Sequence, residues 1–291
     1  MRSIIPTNFL KNGRSFRNCQ INQHPTLKSH HILCKNRNYF IGEDGILGNF
    51  RYLLPKPKDP SPLAGSFGDT SFFSQGDQMY EVVSRCDKSS GKCEVGSRTL
   101  FIYLLNDEWA DYHSTRPVVI SFHWPRREAP FIANYGEWFF LLASETAGWK
   151  QSRTWYRRAK SLQALANSTE YEVVMHPRNT RSIKSMGSQF RFLLEIVPGK
   201  WMFAGDRYPA NDKVHWDPKY GAHVMTPLQF VSDVPHVYWK KEFNWVTYNY
   251  GSADYDAHYH DGRGHSPPGF AHSLQLKLES LMLNATAKRW S

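Results

Sequence analysis

The chain has 291 residues, 41% hydrophobic and 15% aromatic, enough to bury a sizeable core as one large domain or two small ones. It contains no run of about 18 apolar residues, so no membrane span is expected. The net charge of +10 does not describe a basic fold, because residues 1–42 carry seven Lys and Arg and no acid, leaving 29 basic against 26 acidic residues elsewhere.

Those seven are Arg2, Lys11, Arg14, Arg17, Lys28, Lys35 and Arg37, set among scattered apolar residues such as Ile4, Phe9 and Phe16. Residues 1–39 thus have the composition of an organellar transit peptide, without the continuous apolar core of a secretory signal. Around Arg37-Asn38-Tyr39-Phe40 the sequence resembles mitochondrial presequence cleavage sites, with Arg two residues before an aromatic cut position. A mitochondrial matrix location is the expectation and the cytoplasm the alternative. The same segment can also be read as a basic arm for nucleic acid, whose binding would weaken steeply with salt, or as a leader with no role beyond solubility.

Residues 40–76 read as an extended strap, in which Pro55, Pro57, Pro60 and Pro62 are too closely spaced for a helix. Residues 77–291 read as a single globular domain. β-Branched and aromatic content predicts strands at Met79–Ser84, Arg98–Leu105, Pro117–Trp124 and Glu137–Ala143. Trp155, Ala159, Leu162 and Ala166 recur at helical spacing and predict an amphipathic helix over 152–167, with Arg153, Arg157, Arg158 and Lys160 around it. Those cations are read as a solvated exterior, or else as a phosphate-contacting face. Strands resume at Tyr171–Met175, Gln189–Val197 and Lys200–Ala204, the last two joined by a tight turn at Pro198-Gly199. An aromatic stretch follows at 236–250, and Leu274, Leu278, Leu281 and Met282 predict a second amphipathic helix over about 272–285. The expected fold class is α+β, an antiparallel or mixed sheet with these two main helices. Trp124, Phe139, Phe140, Phe190 and Trp201 are expected in the core, and the run around Trp239 and Trp245 is a candidate interface.

Motifs with specific spacing are missing. Gly91-Lys92 runs into Cys93 and makes no phosphate loop, and Gly264-His265-Ser266-Pro267-Pro268 has Pro where a nucleophile elbow needs Gly. The leading constellation is rich in histidine. His258 and His260 share a face if they lie on a strand, and His215-Trp216-Asp217 has two-residue spacing, so that His215, Asp217 and one of His258, His260 or His265 resemble the two-His-one-carboxylate triad of non-haem iron sites. Iron or zinc is the divalent transition metal expected there; the competing reading is an exposed polar loop. Asp107, Glu108, Asp111 and His113 form a second titratable cluster, suited to acid–base work if buried and to a solvated turn if not. Cys86 and Cys93 flank a turn-like stretch and can be two thiols or a bridge, with no further Cys pair to complete a zinc set. Asn167-Ser168-Thr169 and Asn284-Ala285-Thr286 match the glycosylation acceptor pattern, which a chain without a secretory signal would leave unused.

These observations favour a non-catalytic mitochondrial accessory subunit or assembly factor with protein partners in a complex. A metal-dependent oxygenase or hydrolase built on the C-terminal histidines is the alternative, and a nucleic-acid binder led by the basic arm comes third.

Overall fold

The computed structural model describes residues 20–27, 29–34, 38–42, 50–53, 67–86, 98–109, 111–116, 118–148, 150–176, 184–197, 199–207 and 222–240. They form four sheets that follow one another along the chain. The first has strands β1 (Gln20–Gln23), β2 (His30–Cys34), β3 (Asn38–Gly42) and β4 (Phe50–Leu53) in sequential order. The second has β5 (Phe67–Gln75), β6 (Gln78–Cys86), β7 (Arg98–Leu104) and β8 (Val118–His123), also in order. β9 (Arg127–Tyr135), β10 (Trp138–Glu145), β11 (Thr154–Ala159) and β12 (Glu170–Glu172) make the third. The fourth joins β13 (Val174–His176), β14 (Gln189–Val197), β15 (Lys200–Arg207), β16 (Ala222–Val231) and β17 (Val234–Tyr238) in the order β13-β17-β16-β15-β14. Every ladder is antiparallel except β13 with β17. Edge strand β9 meets edge strands β5 and β14, so the second, third and fourth sheets converge along one line.

Sequential sheets packed face to face bury both faces of the sheets between them, and the sequence carries that imprint. In β10, Phe140 and Leu142 enter a core shared with the fourth sheet, whereas Phe139, Leu141 and Ala143 enter a core shared with the second. An unbroken apolar run is what such a strand requires. Trp124, Phe139, Phe140, Phe190 and Trp201 are all buried, as expected of them. The hairpin expected around residues 198–199 is present: β14 and β15 pair from Gln189↔Asp206 to Val197↔Lys200, and Gly199 takes a left-handed φ of 77°.

A third core lies between the first and second sheets, where Leu33 meets Phe101, Tyr103 and Trp109. Two histidines are sealed into it. The His24 ring lies 4.4 Å from that of Trp109, and the His31 ring 5.3 Å. His24 Nδ1 accepts the N–H groups of Thr26 and Leu27, so its Nε2 carries the proton and donates to the Asp107 carbonyl at 2.7 Å. His31 Nε2 bonds Ser29 Oγ at 2.8 Å, and its Nδ1 has no partner among the described residues. Burial, with the charges of His24 and His30 adding to it, lowers the His31 pKa from 6.5 to about 4.

The α+β expectation is corrected: the structure is nearly all β, and no α-helix occurs among the described residues. Residues 152–167, expected to be helical, form β11 followed by one 3₁₀ turn, Gln163–Asn167. The helical spacing misleads because sheets press on both sides of this stretch. Tyr156 belongs to one core while Ala159 and Leu162 belong to the other. Three of the four cations lie over rings, Arg157 over Phe122 and Trp124, and Arg158 and Lys160 both over Trp138, while Arg153 is exposed and pairs with Glu172. The second expected helix, about 272–285, lies outside the described residues.

Candidate active site

The inner strands β5, β9 and β14 bring polar side chains together near their N-terminal ends, and at the centre is Glu128. Its residue is only 8% exposed, although an isolated carboxylate at such depth is costly. The cost is met by three donors. Arg98 Nη2 reaches Oε2 at 3.1 Å, Gln189 Nε2 donates to Oε1, and the Ala147 N–H reaches the same oxygen at 3.4 Å. The backbone is pinned as well, Ser144 Oγ donating to the Glu128 carbonyl and Ser84 Oγ to that of Arg127.

Burial has the largest influence on the Glu128 carboxyl and raises its pKa. Arg98 opposes this, the charge of Asp69 reinforces it, and the hydrogen bonds from Gln189 and Ala147 oppose it. The balance lies above the ordinary carboxylate value. Asp69 reaches the site from β5, where the ladder to β6 breaks register between Phe67 and Thr70. Such an irregularity re-aims side chains. Gly68 makes it possible: a Cβ there would sit 2.0 Å from the Ser84 carbonyl oxygen. We expect Gly68→Ala to cost at least about 1–3 kcal/mol as β5 and β6 are forced apart, measured as a lower denaturation midpoint, and to pull Asp69 away from Glu128.

Gln189 is held as deliberately. It follows a turn in which Ser185, Met186 and Gly187 have φ values of 52°, 60° and 76°, the left-handed region that non-glycine residues avoid. Buried hydroxyls fix this turn, Ser185 Oγ donating to the Ser152 carbonyl and lying 2.6 Å from Thr154 Oγ1, while Ser188 Oγ donates to the Ser185 carbonyl. Across the ladder stands Gly205, where a Cβ would come within 2.3 Å of Ser188 Oγ. Arg126 and Ala129, which bracket Glu128, are also left-handed, with φ of 60° and 50°. Left-handed backbone therefore flanks both groups of the site, and the surrounding contacts must hold it there.

The expected site residues fare differently. His215, Asp217, His258, His260 and His265 lie outside the described residues, as do Ser266 and Cys93. No group of three or more His, Cys, Asp or Glu suited to a metal occurs among the described ones. Asp107, Glu108 and Asp111 are exposed in the turn after β7, the solvated-turn reading of that cluster. Cys86, at the end of β6, is disulfide-bonded. Glu128, Asp69 and Gln189 were not picked out by sequence reasoning. The one signal for Glu128 was an acid followed by Pro130 and the apolar Phe131-Ile132-Ala133, a carboxylate leading directly into core.

No protein-family model and no curated protein matches the chain. Solved structures do. A GH43 β-1,3-galactosidase matches with a TM-score of 0.60 at 20% identity, over 81% of this chain and 48% of its own. The fold resembles the GH43 β-propeller. An exo-β-1,3-galactanase from Clostridium thermocellum matches with a TM-score of 0.58 at 15% identity, over 76% of this chain and 49% of its own. One from Phanerochaete chrysosporium, crystallised with galactose, gives 0.55 at 20% identity over 75% and 47%. The chain spans about half the length of these three. In propeller terms the four sheets are blades, and β5, β9 and β14 are the inner strands of three of them. The expectation of a non-catalytic mitochondrial accessory subunit is corrected by this likeness, because these solved structures are of glycoside hydrolases.

Proposed function

We propose that the chain is a glycoside hydrolase that cleaves β-1,3-linked galactose from oligosaccharides, with Glu128 as the proton donor. The observation that carries this reading is the environment of Glu128, a buried carboxyl held above the ordinary range at the meeting point of three inner strands. Glycoside hydrolysis needs such a group, because the departing sugar oxygen is a poor leaving group until protonated. Burial, and after it the neighbouring negative charge of Asp69, raise the Glu128 pKa, and Gln189 fixes the direction in which the carboxyl points. The substrate class comes from the named activities of proteins with this fold, two of which act on β-1,3-galactans.

The test is direct. The purified protein is incubated with β-1,3-galactobiose and, separately, β-1,4-galactobiose, and free galactose is measured. Release from the first and little from the second is expected; no release from either overturns the reading. The pH profile tests the role of Arg98. A general acid works while protonated, so the rate falls as pH rises through the Glu128 pKa. The Arg98 guanidinium lowers that pKa. Arg98→Met therefore raises it, and the alkaline limb of kcat/KM is expected to move to higher pH. A limb that stays in place or moves down would remove Glu128 from the acid role.

A further inference from the structure

We propose that Asn167 carries an N-linked glycan on the outer rim of the third sheet. Asn167-Ser168-Thr169 satisfies the acceptor pattern, in which the hydroxyl two residues on assists the amide. The structure puts the pattern in a usable place. Asn167 ends the 3₁₀ turn between β11 and β12, and both Asn167 and Thr169 are exposed. The backbone around them is held from beneath: Arg157 Nη1 donates to the carbonyls of Ala166 and Ser168 at 2.9 and 3.0 Å, and Ser168 Oγ donates to the Leu165 carbonyl. A glycan on Asn167 therefore projects into solvent without disturbing a packed contact.

A second, independent observation points to the compartment where this modification occurs. Cys86 is disulfide-bonded. Disulfides persist in oxidising compartments, the secretory lumen among them, and are rare where thiols are kept reduced. In that lumen the co-reactant is an oligosaccharide linked to a lipid pyrophosphate. The Asn167 Nδ2 forms a bond to the anomeric carbon, the bond from that carbon to the phosphate oxygen breaks, the lipid pyrophosphate leaves with the electron pair, and one amide proton passes to base.

The position also gives the glycan work to do. β12 is the outer edge of its sheet, and Tyr171 within it is 48% exposed. An edge strand with an exposed aromatic invites pairing with another chain, and a bulky hydrophilic group beside it prevents this. β9, which carries Glu128, lies three strands inward, about 14 Å at the usual strand spacing. The glycan thus protects the rim and leaves the axis open.

The experiment is made on the protein purified from its own cells. It is treated with peptide N-glycosidase F in ¹⁸O-water and digested with trypsin, and the peptide spanning 161–178 is analysed by mass spectrometry. Conversion of Asn167 to ¹⁸O-labelled aspartate is expected. An unmodified Asn167 in that peptide overturns the proposal, and is the result that the matrix location expected from residues 1–39 would give. Asn167→Gln made in the same cells is expected to migrate faster than the parent on a denaturing gel, with the difference abolished by the glycosidase. Equal migration before treatment counts against the site.

Discussion

Glutamine in place of Glu128 is expected to lower kcat/KM on β-1,3-galactobiose by about 10²–10⁴-fold, the range over which a positioned general acid accelerates a reaction. Glutamine has nearly the same shape and its carbonyl can still accept from Arg98, but it has no proton to give. The fold should therefore persist, and a thermal melt of the variant provides the control. The decisive comparison uses a second substrate. An aryl β-galactoside with an acidic phenol leaves without protonation, so on it the Glu128→Gln variant should lose far less activity than on galactobiose. Equal losses on both substrates would mean that Glu128 shapes the site and moves no proton. Gln189→Ala separates holding from donating: it leaves the carboxyl in place and removes one of its three donors. Because the Gln189 hydrogen bond lowers the Glu128 pKa, its loss should move the alkaline limb upward, in the same direction as Arg98→Met.

Acid should loosen the seam between the first two sheets. His31 is fully buried, and its pKa falls from 6.5 to about 4, chiefly because burial disfavours the charged ring. Its folded pKa lies below its unfolded value, so between the two the unfolded chain binds more protons. Stability is then fully present above pH 6.5 and declines as pH falls toward 4. At about 1.4 kcal/mol per pKa unit the loss is roughly 3 kcal/mol. Denaturant titrations at several pH values from about 7.5 down to 4 measure it. His31→Gln, which can still bond Ser29 Oγ but does not titrate, should be less stable than the parent at neutral pH and should show a flatter decline. An unchanged slope in the variant would move the acid sensitivity elsewhere. The Asp206 carboxyl contributes in the same direction: burial would raise its pKa, but the hydrogen bond from His223 and the charge of Arg191 together lower it, so its stabilising effect is lost as pH falls through that depressed value.

What could be read ahead of the structure, and what could not, divides along a physical line. The central strands β6, β7 and β10 were legible because both of their faces are buried and their sequences are accordingly apolar and β-branched. Of the inner strands, β14 was legible over its whole range, Gln189–Val197, but β5 and β9 were not. β9 contains Pro130, which argues against a central strand but is tolerated on an edge, where β9 lies. β5 runs through Gly68, Asp69, Ser71 and Ser74 and read as part of a polar strap. These strands are polar and irregular because they face the converging edges and hold the site, so the features that make them functional also hide them from pattern reading. The misread stretch at 152–167 has the converse cause. With buried residues on both sides of a strand, their spacing ceases to alternate and can coincide with a helix.

By itself the sequence determined a large aromatic core, the residues that fill it, the tight turn between β14 and β15, and a basic segment distinct from a nearly neutral remainder. Only the tertiary structure decided that successive sheets stack into a propeller-like arrangement and that Asp69, Glu128 and Gln189, each far from the others in sequence, meet at one place. The physical reason is that core burial is a property of single residues and their neighbours, whereas the raised pKa of Glu128 arises from groups that three separate sheets bring together.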